Sequence, residues 1–269
     1  MARRPAALML PRMIWPGLVS ITFRALSPGE IVALVRSAGL RGIEWGGDIH
    51  VPHGDRARAR EVRQLTQDAG LTVAAYGSYY RAAQSEAEGL PFARVLESAV
   101  ELGAPLIRVW AGNAGSATAS PAVRAQVGAD LRRVAALAAD ARVGVSLEFH
   151  NGTLADTADS TARLLAEVGQ PNLSTYWQPP LERDTAESES DLRSLLPRLT
   201  NLHVYQWRTY AERLPLAAGA ERWRKFFAVA ATAPGDRHAM LEYVEADSPA
   251  NFLRDAATLK AWLEPGAAG

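Results

Sequence analysis

The chain has no cysteine in its 269 residues, so disulfides and thiolate metal sites are both excluded. It has no net charge either, because 29 basic residues are matched by 29 acidic ones. Nucleic-acid binding rests on neutralising phosphates with a basic face, and a balanced chain argues against such a partner. Long apolar runs are missing too, so no membrane span is expected. The opening "MARRPAALMLPRM" is basic, but its apolar run stops at Pro11 and Arg12, too short for the core of a signal peptide. Residues 1–17 therefore read as an N-terminal extension, and a cytoplasmic location is expected. No G-x-G-x-x-G follows the first extended segment, and no organic cofactor is expected.

What the chain does have is alternation. The extended segments are "LVSITFR" (18–24), "GIEWGG" (42–47), "TVAAYGS" (72–78), "LIRVWAG" (106–112), "VGVSLEF" (143–149), "NLSTYWQ" (172–178), "NLHVYQW" (201–207) and "HAMLEYV" (238–244). Helical patterns lie between them. "SPGEIVALVRSAG" carries Ser27 as cap, Pro28 at the first helical position, Glu30 closing a capping box and Gly39 at the end. Units of this kind over 269 residues suit an α/β fold, a single-domain (β/α)8 TIM barrel spanning 18–265; such barrels run to about 250 residues.

Strand side chains alternate faces, so each strand divides by parity. In "VGVSLEF" the apolar set suits the helix layer, which turns Gly144, Ser146 and Glu148 inward. The same division turns in Ser20, Thr22, Arg24, Glu44, Tyr76, Ser78, Arg108, Trp110, Tyr176, Gln178, His203, Tyr205 and Glu242. Unpartnered buried carboxylates cost several kcal/mol, on the order of the penalty for a desolvated ion, so this interior needs compensation. Glu148, Gln178, His203 and Glu242 come near the C-terminal ends of four successive strands, where barrel active sites form. Two carboxylates, an imidazole and an amide oxygen make a hard N/O site for one divalent cation, Mn²⁺ foremost, with Mg²⁺, Co²⁺ or Zn²⁺ as alternatives. A metal-free network is the competing reading. There Arg24 and Arg108 balance Glu44, Glu148 and Glu242, with Gln178 as a cap and His203 as a satisfied core residue.

The stretches "SITFRALSPGEIVALVRSAGLRGIEWGGDIHVPHGD", "SLEFHNGTLADT" and "MLEYVEADSPANFLRDAATLKAWL" resemble the sugar phosphate isomerase/epimerase proteins of the xylose isomerase-like TIM barrel superfamily, over roughly residues 18–263. The resemblance implies one divalent ion held by Glu, Asp, His and Glu from strands five to eight. Glu148, His203 and Glu242 match three of these, and Gln178 stands in the place of the aspartate. Several epimerases carry a substrate-binding histidine three residues on, where this chain has Leu181. The implied activity is isomerisation or epimerisation of a ketose, inosose or related polyol ketone through a cis-enediolate, with Glu148 and Glu242 as paired acid and base. A lyase using the same proton abstraction before β-elimination is the nearest rival. An abasic-site nuclease and a non-catalytic sugar-binding barrel are more distant ones.

Glu44, His53, Arg108, Trp110, Tyr76 and Arg208 are the expected substrate-binding residues, and the partner is a small polyhydroxy ketone. His50 with His53 as a second metal site is a minor alternative, and His150 reads as a loop residue turned from the ion. Trp45, Trp110, Trp177 and Trp207 lie near strand ends, where a ring can stack on a sugar face or pack in the core. A homodimer paired over the mouth is expected by analogy.

Overall fold

Eight parallel strands close into a barrel in the order of the chain, each hydrogen-bonded to its sequence neighbours and the eighth to the first. The computed structural model describes residues 13–264. The elements run β1 (Ile14–Val19), α1 (Pro28–Ser37), β2 (Gly42–Gly46), α2 (Arg56–Asp68), β3 (Thr72–Arg81), α3 (Phe92–Leu102), β4 (Leu106–Trp110) and α4 (Pro121–Asp140). They continue β5 (Gly144–Leu147), α5 (Ala158–Val168), β6 (Leu173–Trp177), α6 (Thr185–Leu195), β7 (Leu199–Val204), α7 (Ala220–Ala230), β8 (Arg237–Leu241) and α8 (Pro249–Leu263). No helix among the described residues is long and apolar enough to cross a membrane.

The α1 cap holds as the sequence suggests, and α4 and α8 open on the same Ser-Pro pair. Ser27 and Glu30 close the capping box of α1 with Pro28 in its first turn, and Ser120 caps α4. Ser248 opens α8 before Pro249 but makes no side-chain capping bond. The main apolar core lies between barrel and helices. Trp45 and Trp177 are fully buried there, Trp45 donating to Thr66 of α2 and Trp177 packed edge-on to Phe226 of α7. These two indoles are core residues, not stacking platforms.

Two segments depart from the sequence reading. β1 starts at Ile14, not Leu18, so residues 14–17 of the expected extension are barrel, while residues 1–12 lie outside the described residues. Pro16 is tolerated because β2 joins β1 only from Gly17 onward, although the Pro16 carbonyl accepts from Arg41 N. Ser20–Phe23 then form a 3-10 turn instead of continuing the strand. Arg24 consequently lands on the exposed rim, where it pairs with Asp48 at 2.5 Å and balances none of the interior glutamates.

The second departure is a bulge. Between β2 and β3 the register moves from Ile43 opposite Val73 to Glu44 opposite Ala75, which reverses the alternation downstream. Ala75 therefore shares the interior with Val19, Leu106, Tyr176 and Met240. Tyr76 goes to the outer core, donating its hydroxyl hydrogen to Val51 O at 2.8 Å. Gly77 faces inward: a Cβ there would sit 2.7 Å from Arg108 Nη2 and 2.8 Å from Glu44 Oε1. Glycine is what leaves room for that ion pair.

Candidate metal centre and cleft

Three of the four expected ligands occupy equivalent places. Glu148, Gln178 and Glu242 are each the residue that follows the last position of β5, β6 and β8, and His203 is the penultimate residue of β7. All four are buried, His203 completely. Glu148, His203 and Glu242 each offer one ligand atom, and these atoms lie within 4.8 Å of one another. His203 Nδ1 is 3.1 Å from Gln178 Oε1, 3.4 Å from Glu242 Oε2 and 3.9 Å from Glu148 Oε1. Three oxygens thus converge on one imidazole nitrogen.

The other ring nitrogen is held as well. His203 Nε2 lies 3.4 Å from Glu44 Oε2, and the Tyr176 ring packs edge-on to the imidazole at 5.1 Å. A carboxylate on the far nitrogen fixes the tautomer that leaves Nδ1 free to ligate, the usual support of a metal-bound histidine. Glu44 Oε1 also accepts from Arg108 Nε at 2.6 Å. Arg108 Nη1 in turn donates to Glu148 Oε2, the oxygen that also accepts from Trp110 Nε1 at 2.5 Å. Glu148 is therefore clamped through one oxygen and presents the other toward His203.

The electrostatics match this geometry. Burial would raise the Glu44 pKa, but Arg108 and His203 outweigh it and hold the carboxyl at about 2. Burial disfavours the charged Arg108 guanidinium, yet Glu148 and Glu44 raise its pKa well above the ordinary value. Burial would lower the His203 pKa, but Glu242 and Glu44 push it up to about 10. Glu242 is held below the usual carboxylate range, again against burial, chiefly by His203. Three buried carboxylates face one guanidinium, so with the imidazole neutral, as a metal ligand must be, two negative charges remain. A divalent cation closes that balance, and the mixed O/N donor set suits a hard or borderline ion. The metal-free network is thus half realised: Arg108 serves Glu44 and Glu148, while among the described residues Glu242 is left to His203 at 3.4 Å.

A cleft of about 590 Å³ opens beside this group. Its walls include Glu148, Gln178 and Glu242 with His150, Asn151, Leu181, Tyr205, Trp207, Tyr210 and Tyr243. Of the expected substrate-binding residues, only Trp110 adjoins the cleft, stacked on His150 at 4.6 Å and bonded to Glu148. Glu44 and Arg108 are sealed beneath the ligands as their supports. Tyr76 lies in the outer core, and His53 is tied to its hydroxyl through Nδ1 at 2.8 Å. His50 pairs separately with Ser20, so the two histidines form no joint site. Arg208 turns outward to Glu212.

Sequence reasoning misread one wall residue and passed over others. His150, expected to be a loop residue turned from the ion, lines the cleft, and its Nδ1 donates to Asn151 O at 2.7 Å. Alternation past a strand end does not report where such a loop residue points. Tyr243 directly follows Glu242 yet adopts φ 49°, a left-handed conformation no pattern assigns to a tyrosine. Trp207 was the one stacking candidate in this wall.

The chain is similar to a 3-dehydroshikimate dehydratase of Bacillus anthracis, 43% identical over 67 residues. That match covers 25% of this chain and 24% of the relative. Its fold is similar to the crystal structure of the probable 3-DHS dehydratase AsbF of Bacillus anthracis, with a TM-score of 0.76 at 22% identity, covering 92% of this chain and 99% of that one. It is also similar to the apo form of 3-keto-D-glucoside 4-epimerase from E. coli, with a TM-score of 0.69 at 20% identity, covering 91% and 98%. At such identities the likeness is one of fold. The model of the xylose isomerase-like TIM barrel family matches residues 32–263, and the chain belongs to that family.

Proposed function

We propose that this chain is a metal-dependent enzyme that removes the proton α to the carbonyl of a small polyhydroxy ketone, with Glu242 as the base, and that loss of a β-hydroxyl follows. The observation that carries this reading is the inequality of the two glutamates. Glu148 has one oxygen committed to Arg108 and Trp110, whereas among the described residues the Glu242 carboxylate pairs with His203 alone. With one oxygen of Glu148 occupied by Arg108 and Trp110, we assign Glu148 to ligation and the proton transfer to Glu242, whose carboxylate carries no such clamp. Bound among Glu148, Gln178, His203 and Glu242, a divalent ion would polarise the carbonyl as a Lewis acid. We take His150, which lines the same cleft and spends Nδ1 on Asn151 O, as the second proton-transfer group, assisting departure of the hydroxyl.

One base and a clamped glutamate favour elimination over exchange between two equal carboxylates. The similarity to a dehydratase over a quarter of the chain supports the same choice. One-base isomerisation through a cis-enediolate is the second reading, since a single carboxylate can return a proton to the neighbouring carbon. NMR of manganese-loaded protein incubated with polyhydroxy ketones in D2O separates the two. Elimination gives an unsaturated product; isomerisation gives deuterium at an α-carbon with no loss of water. Glu242→Gln should cut α-proton exchange by about 10²–10⁴-fold. Unchanged exchange in that variant would remove Glu242 as the base.

A further inference from the structure

A second concave site lies at the N-terminal end of the barrel, opposite the metal centre and independent of the reaction assigned there. Barrels are normally closed at this end by layers of branched apolar side chains that serve stability. Here the first inward layer is formed by Trp15 of β1, Gly42 of β2, Thr72 of β3 and His238 of β8, with Trp15 opposite His238 and Gly42 opposite Thr72 in the sheet. His238 shares its face of β8 with Met240, two residues on, which belongs to the interior cluster. Its ring fills the place a side chain at Gly42 would take: a Cβ there would lie 2.5 Å from His238 Cδ2. The ring thereby reaches across β1 to Thr72, whose Oγ1 is 3.3 Å from His238 Nε2 and 3.1 Å from Arg41 O. Burial holds the imidazole pKa down to about 4, so near neutral pH it adds hydrogen bonding but no charge.

A hollow of about 1080 Å³ opens at this layer, walled by the apolar Leu71, Val73 and Pro105 beside Trp15. Mostly apolar walls with a few convergent polar groups are the make-up of a small-molecule site. Among the described residues Arg41 is the one charged side chain in the wall. Its guanidinium lies 4.6 Å over the Trp15 ring and has no acidic partner among the described residues. Two acids of this end are engaged elsewhere: Asp236 accepts from Met13 N at 3.0 Å, and Asp68 from Gln64 Nε2 at 2.6 Å. Residues 1–12 and 265–269 contain no aspartate or glutamate that could serve Arg41. A second guanidinium, that of Arg63, lies against Gly103 at the edge of the hollow, its Nε 3.0 Å from where a Cβ would stand, and it too has no acidic partner among the described residues.

We infer that this hollow is a binding site for a small carboxylic acid with an apolar body, its carboxylate on Arg41 and its body against Trp15, Leu71 and Val73. A guanidinium takes a carboxylate through paired N–H donors, and the indole beneath Arg41 holds that fork in place before the ligand arrives. The apolar wall supplies the burial that the body of the acid requires. A strongly hydrated anion without an apolar part gains only the first of these contacts.

Calorimetric titration of the full chain with adamantane-1-carboxylate, set beside the neutral adamantane-1-methanol, tests this. The carboxylate should bind with a Kd below about 1 mM and at least about tenfold more tightly than the alcohol. Arg41→Gln should abolish that preference, and Trp15→Leu should weaken the carboxylate about tenfold, both with unchanged far-UV circular dichroism. His203→Ala, which removes a ligand of the metal centre, should bind the carboxylate as wild type does. In magnesium-loaded, 15N-labelled wild type the Trp15 indole N–H should shift as the carboxylate is added. No binding up to about 1 mM, equal affinity for acid and alcohol, a preference that survives Arg41→Gln, or an unmoved Trp15 signal would overturn the inference. So would loss of binding in His203→Ala, which would put the probe at the metal centre.

Discussion

His203 meets a carboxylate at one ring nitrogen and three candidate ligand oxygens at the other, and the roles of its neighbours follow from that. Gln178 is the residue where this chain leaves the ligand set its family resemblance implies. Its amide oxygen lies within hydrogen-bond reach of His203 Nδ1 but brings no charge to the centre. Replacing it by the carboxylate should tighten divalent metal binding by at least about tenfold, measured by competition against a chelating dye, because a full negative charge then faces the ion in a buried site. Equal affinity in Gln178→Asp would mean that the amide is not a ligand. These four residues were legible in the sequence because each lies at or just past a strand end, one βα unit from the next. Glu44 and Arg108 were legible as interior residues but not as supports. Alternation says that two side chains share the barrel, not that one lies beneath the other.

The elements show where that legibility ends. Strands and capped helices follow from period and punctuation, and all eight repeats are present. The errors arise where local backbone breaks the period. The true start of β1 falls within the expected N-terminal extension, and the 3-10 turn at Ser20–Phe23 kept an alternating sequence while abandoning the strand. In β3 the bulge beside Val73 exchanged the faces, which placed Tyr76 outside and Gly77 inside. Gly77→Ala tests whether that face carries the Glu44–Arg108 pair. The added methyl should displace Arg108, destabilise the fold by about 1–3 kcal/mol in chemical denaturation, and loosen Glu148. Wild-type stability in this variant would show that the pair has room to spare.

At the scale of the whole molecule, the barrel gathers more negative charge at its C-terminal end than Arg108 neutralises, so a proton or a metal ion completes it. In the metal-free protein the His203 pKa is raised from its ordinary 6.5 to about 10. A raised folded-state value gives stability that is complete below about pH 6.5 and lost as pH climbs through about 10. Thermal unfolding of metal-free protein should therefore fall in midpoint across that window. Saturating Mn²⁺ should flatten the decline, because the ion replaces the proton, and apparent metal affinity should rise with pH over the same range. A midpoint that rises between pH 7 and 9 without metal would contradict the electrostatic account.

The most direct measurement is the metal content of protein purified without chelator and exchanged into metal-free buffer, set beside that of His203→Ala. About one divalent ion per wild-type chain, absent from the variant while both retain the same far-UV circular dichroism, is the predicted result. A wild-type chain that holds no ion even after equilibration with excess Mn²⁺, or a variant that holds as much as wild type, would contradict it.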